Sequence, residues 1–124
     1  MLQIGHSTNL GSNRVPTLMF LAQAVSDTNR EVARSATGGL RNFTDHGDIA
    51  IPPLVNSLAS SDSGQRLEAV LSLAAFGKEA HAGVPALVAA LNDPDKIIRQ
   101  EATNALIKIA PEVLETNGVS GVHE

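Results

Sequence analysis

The sequence predicts an all-α protein built as a solenoid of three stacked helical hairpins. One observation is an internal repeat of 33 residues, and another is that apolar residues recur every three or four positions within each copy. A third is composition: 43% of the residues are apolar but only 2% are aromatic, so Leu, Ala, Val and Ile must form the core. Small aliphatic side chains suit closely packed helices. A chain of 124 residues forms one domain.

The repeat is clearest between the second and third copies. The segment IPPLVNSL at 51–58 aligns with VPALVAAL at 84–91, and the same shift carries Arg66 onto Arg99 without a gap. A looser first copy precedes them. We therefore predict an N-terminal tail at 1–15, repeats at 16–45, 46–80 and 81–112, and a C-terminal tail at 113–124.

Each repeat is predicted to contain two helices. In the third repeat, Val84, Leu87 and Leu91 mark the buried face of a first helix, and Ile98, Ala102 and Ile109 that of a second helix. Segments 44–53 and 77–85, rich in Gly, Pro and His, are predicted to connect the repeats.

Polar residues in the turns predict where the second helices begin. We expect Asp93 to cap the third repeat's second helix, with Pro94 in its first turn. The capping-box spacing predicts equivalent starts at Thr28 and at Asp62 in the first two repeats.

The third repeat resembles a HEAT repeat through the string VPALVAALNDPD at 84–95, followed by Arg99 and apolar positions of the second helix. The similarity is greatest to the short bacterial variety first associated with phycobilisome lyases. This resemblance implies a HEAT/armadillo-like superhelix, in which a turn Asp and a second-helix Arg form a ladder between neighbouring repeats. The ladder positions are Asp27, Arg66, Asp93 and Arg99. The pattern fails at Ala33, which should be Arg, and at Ser60, which should be Asp.

The second helices of such an array line one continuous face, which is the usual binding surface. We predict that partner contacts come from the rows pointing away from the core. These rows are basic in the first repeat, apolar in the second and polar in the third: Arg30, Arg34 and Arg41; Leu67, Val70 and Leu71; Lys96, Gln100, Thr103 and Asn104.

The apolar row has three alternative explanations. A helix that is apolar all round is either buried or meets a partner, so a protein or peptide partner is the leading hypothesis. The N-terminal tail, with Leu2, Ile4 and Leu10, is a second candidate to cover the row. Self-association is the third, because Phe20 and Leu114 keep the ends of the array apolar.

The sequence does not favour an enzyme. There is no cysteine, which excludes disulfides, thiolate zinc sites and cysteine nucleophiles, and the common catalytic motifs are absent. Two corresponding loops carry His46 with Asp48 and Glu79 with His81, but these side chains share no fixed helical spacing. We therefore predict no catalytic residue, no metal site and no cofactor.

The leading interpretation is thus a non-catalytic scaffold that binds a protein or peptide. An auxiliary subunit or lyase-like enzyme remains an alternative because the resemblance permits it. Nucleic-acid binding through the arginines is a further alternative, but the net charge of −4 and the few aromatic residues oppose it. No apolar run approaches the roughly 20 residues that span a bilayer, and no targeting segment is evident, so we expect a cytoplasmic protein without a membrane partner.

Overall fold

The computed structural model describes residues 14–116, and over this range the chain is helical, without a strand. The predicted fold class is confirmed. Three helix pairs follow one another: α1 (Arg14–Ala24) with α2 (Arg30–Gly39), α3 (Gly47–Ser57) with α4 (Ser63–Phe76), and α5 (Val84–Ala90) with α6 (Lys96–Ile109); the short α7 (Glu112–Thr116) comes last. The tail residues Leu2, Ile4 and Leu10 lie outside the described residues. None of the helices within 14–116 is both long and apolar enough to cross a membrane.

The second helices begin at equivalent residues of the repeat. Asn29 accepts hydrogen bonds from the N–H groups of Glu31 and Val32, and Asp62 accepts one from Gln65. Asp95 caps α6 in the same way. The prediction for Asp62 is confirmed, whereas those for Thr28 and Asp93 are wrong.

The three caps keep the period of 33, because 29, 62 and 95 differ by 33. A capping side chain must stand directly before the first helical turn, and Thr28 comes one residue too early. Asp93 comes two residues before the cap, where its carboxylate accepts the N–H of Asp95 at 2.8 Å.

The connections between repeats are shorter than the sequence suggested. Two 3₁₀ turns, Leu40–Asn42 and Thr44–His46, link the first pair to the second, and α3 already begins at Gly47. The expectation that residues 44–53 form a loop is wrong. The prolines Pro52 and Pro53 lie inside α3, where Ile51 and Leu54 are buried and hold this helix against the core.

The core runs through the whole stack and is almost purely aliphatic. Leu18, Leu54 and Leu87 are fully buried on the first helices, and Leu73 and Leu106 are fully buried on the second helices. Phe43 and Phe76 complete this core at the ends of two repeats. Burial of side chains by two neighbouring helix layers explains why one hairpin cannot be stable alone.

Removing one core side chain should therefore destabilise the whole stack. Leu73→Ala is expected to lower the free energy of unfolding by about 2–5 kcal/mol, because the side chain loses its burial and leaves a cavity. Ile97→Ala, at a side chain that is 50% exposed, is the control and should change it by less than about 0.5 kcal/mol. Urea unfolding followed by circular dichroism measures both, and equal losses would contradict this position of the core.

Candidate functional site

Several of the residues predicted to face a partner lie instead at the junctions between repeats or against the core. Helix α2 packs on α4, and α4 packs on α6. Val70 is fully buried, so its predicted place on an open surface is wrong. Leu67 is partly buried against the core, and Leu71 is half-buried. The reason is geometric: a second helix contacts its own first helix and also the neighbouring second helices, so the side away from its own hairpin faces the next repeat.

The first junction uses two of the predicted partner-binding arginines. Arg34 donates to Asp62 through Nε at 2.7 Å and through Nη2 at 2.9 Å, which is a bidentate ion pair. Arg41 donates to the Glu68 carboxylate and to the carbonyl of Gly38. Both arginines therefore hold the second repeat against the first.

Two glycines leave room for these ion pairs. The Arg34 side chain lies across Gly64, where a Cβ would overlap it. At Gly38, a Cβ would stand 2.8 Å from Oε1 of Glu68. A larger residue at either position would displace a charged group that bridges the first junction.

The second junction contains a largely buried arginine–aspartate pair. Arg66 donates to Asp93 through Nε at 2.8 Å and through Nη2 at 3.2 Å, and its Nη1 bonds the carbonyl of Ser60 at 2.9 Å. The side chains are only 16% and 7% exposed. This pair joins neighbouring repeats, which is the arrangement that the resemblance to HEAT repeats implies.

The ladder continues into the first junction at shifted positions. Ala33 and Ser60 cannot form the expected pair, but Arg34 and Asp62, one and two residues later, form one in their place. Sequence reasoning missed Asp62 and Glu68 as partners of the arginines. The sequence signal for the Arg34–Asp62 pair is an arginine one residue after Ala33 and a carboxylate two residues after Ser60.

The ion pairs change the acidity of two carboxyl groups. The hydrogen bond from Arg34 lowers the pKa of Asp62 to about 2. For Asp93, burial works to raise the pKa, but the hydrogen bonds from Arg66 and from the Asp95 N–H outweigh it, so the pKa is lowered.

The remaining predicted contact residues lie at two separate places. Arg30 is exposed beside Asp62, with 3.8 Å between its Nε and Oδ1 of the carboxylate. At the far end of the stack, Lys96, Gln100 and Asn104 are exposed on α6, and Thr103 is half-buried. Arg30 and the four α6 residues therefore belong to opposite ends of the stack.

One row of the second helices remains open, and it includes the predicted contact residues Leu71 and Asn104. We name it the second-helix surface and define it by the accessible residues Leu71, Ala75, Ile97, Glu101, Asn104 and Lys108. Helical spacing aligns them, because positions 71 and 75 on α4 are equivalent to 104 and 108 on α6. Its apolar members are the half-buried Leu71, the exposed Ala75, and Ile97.

The histidine-bearing loops are described in full by the structure. His46 lies 3.6 Å from Asp45, measured from Nε2 to Oδ2, and the Glu79 carboxylate lies against Gly47. Across residues 14–116, no three His, Asp or Glu side chains come together in a group that would hold a metal ion.

The stacked hairpins and their Arg66–Asp93 pair define a helical-repeat protein of the α-solenoid class. The family model for HEAT repeats matches residues 17–107, which is most of the chain. This protein belongs to the HEAT-repeat family, and the resemblance seen in the sequence is confirmed. HEAT repeats generally mediate protein interactions as non-catalytic scaffolds. A search of curated proteins finds no match to the chain.

The Arg34–Asp62 pair predicts a specific loss of stability in acid. Because the pKa of Asp62 is about 2 in the folded protein and 3.8 in the absence of these interactions, the unfolded state binds more protons between these values. The stabilisation of the folded protein by this pair is therefore complete above about pH 4 and is lost as the pH falls through about 2. Asp62→Asn should therefore show a smaller fall in unfolding free energy than wild type between these pH values.

Arg34→Met serves as the partner experiment, because it removes the donor and leaves the carboxylate. Like Asp62→Asn, it should make the free energy of unfolding depend less on pH in this range. Denaturant titrations at a series of pH values give the slope of the unfolding free energy against pH. A slope equal to that of wild type in both variants would refute the role of this pair.

The Arg66–Asp93 pair should couple the second and third repeats energetically. A double-mutant cycle with Arg66→Met and Asp93→Asn is expected to give a coupling of about 1.5–3 kcal/mol, because the hydrogen bonds involve charged and largely buried groups. The control cycle uses Arg14 and Asp45, which form an exposed ion pair at 3.1 Å and should couple by about 0–1 kcal/mol. Equal coupling in the two cycles would show that burial adds nothing at the junction.

Proposed function

We propose that this protein is a non-catalytic interaction module and that its partner docks on the second-helix surface. The observation that carries the proposal is Ile97, a large apolar side chain that stands 50% exposed on the same row as Leu71. Apolar patches that stay accessible on a rigid surface are typical of protein-binding sites, and Leu71, Ala75 and Ile97 supply the apolar part of this surface.

The charges around these apolar side chains favour a peptide with both apolar and charged residues. Glu101 and Lys108 stand on α6 beside the apolar positions, so the surface offers both signs of charge. Apolar contacts at the centre supply burial, and charges at the margin set the register of the bound peptide.

The junctions support the proposal because they hold this surface in one shape. The Arg41–Glu68 pair joins the 3₁₀ turn after α2 to α4, and the Arg66–Asp93 pair joins α4 to the turn before α6. A surface that is already ordered loses little conformational entropy when a partner binds.

The same ion pairs argue against nucleic acid as the ligand. Arg34, Arg41 and Arg66 are each bound to a carboxylate, so a phosphate would have to displace an existing partner. A protein partner makes no such demand because the apolar positions are accessible without breaking an ion pair.

A displayed peptide library tests the proposal, because it samples many candidate partner sequences at once. Peptides selected on the wild-type protein are expected to carry an apolar anchor residue. Their affinity should fall at least about tenfold for Leu71→Asp, since a carboxylate then faces that anchor. The matched control is Ala89→Asp, on the exposed side of the first helix α5, which should keep wild-type affinity.

Calorimetry or fluorescence anisotropy with the selected peptides gives these affinities. The proposal fails if the library yields no specific peptide, or if the selected peptides bind Leu71→Asp as tightly as wild type. A loss in Ala89→Asp equal to that in Leu71→Asp would also refute this surface.

A further inference from the structure

Arg99 at the end of the stack is held in the same way as the ladder residue Arg66. Nη1 of Arg66 bonds the carbonyl of Ser60, six residues earlier, and Nη1 of Arg99 bonds that of Asp93 at 2.6 Å, also six residues earlier. The Nε and Nη2 groups of Arg66 continue to a carboxylate of the next repeat. Within residues 14–116, no carboxylate lies at ion-pair distance from Arg99, so its Nε and Nη2 groups lack the carboxylate partner that Arg66 has.

Asp27 at the opposite end matches the ladder residue Asp93. Each carboxylate accepts the backbone N–H two residues later, at 2.7 Å from Asn29 in one case and 2.8 Å from Asp95 in the other. Asp93 also receives Arg66, whereas Asp27 is exposed and forms no ion pair with a described residue. The two open ends thus present the two complementary halves of one junction.

Apolar side chains at both ends occupy positions that the internal junctions cover. Val32 on α2 is 39% exposed, while its equivalents Gln65 and Ile98 are buried. Gln65 donates hydrogen bonds to the Val25 carbonyl and to Thr37 of the preceding repeat. At the other end, Ile107 on α6 is 52% exposed, while its equivalent Ala74 packs against the core. Phe20 adds further exposed apolar surface beside Val32.

The charges at the two ends have the same arrangement as the charges at the internal junctions. In each internal junction the earlier repeat supplies arginine and the later repeat supplies the carboxylate, as in Arg34–Asp62 and Arg66–Asp93. Around the ladder positions, the last repeat carries Lys96 and Arg99 and the first repeat carries Asp27 and Glu31, while Glu112 and Glu115 lie beyond α6 on α7. The charges therefore favour contact between unlike ends and disfavour contact between two like ends.

We propose that this protein associates head to tail with a second copy of itself. The α1–α2 end of one copy stacks on the α6 end of another, Arg99 pairs with the second copy's Asp27, and Val32 and Ile107 become covered. The contact is heterologous and leaves an open end on each side, so further copies can add. It uses the ends of the stack and is independent of the second-helix surface.

Sedimentation of the full chain over a wide concentration range tests this proposal. The wild-type mass is expected to rise with concentration. Asp27→Arg and Arg99→Glu should each weaken the association at least about tenfold, because like charges then meet at the junction. An equimolar mixture of the two variants should associate again, since each altered end finds an opposite charge on the other variant.

The mixture separates a head-to-tail contact from any other dimer. A wild-type protein that stays monomeric throughout, association that persists in Arg99→Glu, or a mixture that remains monomeric would each overturn the proposal. Circular dichroism verifies that both variants are folded. If Arg99→Glu unfolds because it loses the hydrogen bonds from Arg99 to the carbonyls of Asp93 and Pro94, Arg99→Gln keeps a donor there and should also weaken the association.

Discussion

The stacking of each second helix on the next is the constraint on which the structure depends. A hairpin of two short helices leaves apolar residues uncovered, and only the neighbouring repeat can bury them. Apolar contact drives this stacking but has little directional preference. The arginine–carboxylate pairs add direction, because the bidentate contact between Arg66 and Asp93 permits only one register of the two repeats.

This constraint also determines which residues are available for function. The stack buries Val70 and uses Arg34 and Arg41 to bridge the first junction. What stays open is the row that turns away from both neighbours, and the two ends where the stack stops. The second-helix surface and the end residues Asp27 and Arg99 are thus products of the same packing, although they serve different contacts.

The period of 33 predicted the architecture because every repeat must bury equivalent positions. It also implied the caps at Asn29, Asp62 and Asp95, but local cap preferences alone pointed to Thr28 and Asp93. The site was less predictable for a physical reason. A helical wheel shows in which direction Val70 or Arg34 points, but it does not show which part of the chain covers that direction. Partners such as Glu68, 27 residues from Arg41, follow only from the three-dimensional stack.

The most direct measurement of the stacking compares methyl groups on equivalent rows of α4 and α6. Val70 lies on the row that the third repeat covers, and Ile107 lies on the corresponding row of the last repeat, which is open. In dilute solution, a soluble paramagnetic compound should broaden the NMR signals of the Ile107 methyl groups strongly and leave those of Val70 nearly unchanged. Equal broadening of the two would contradict the account, because it would mean that no repeat covers the outward row of α4.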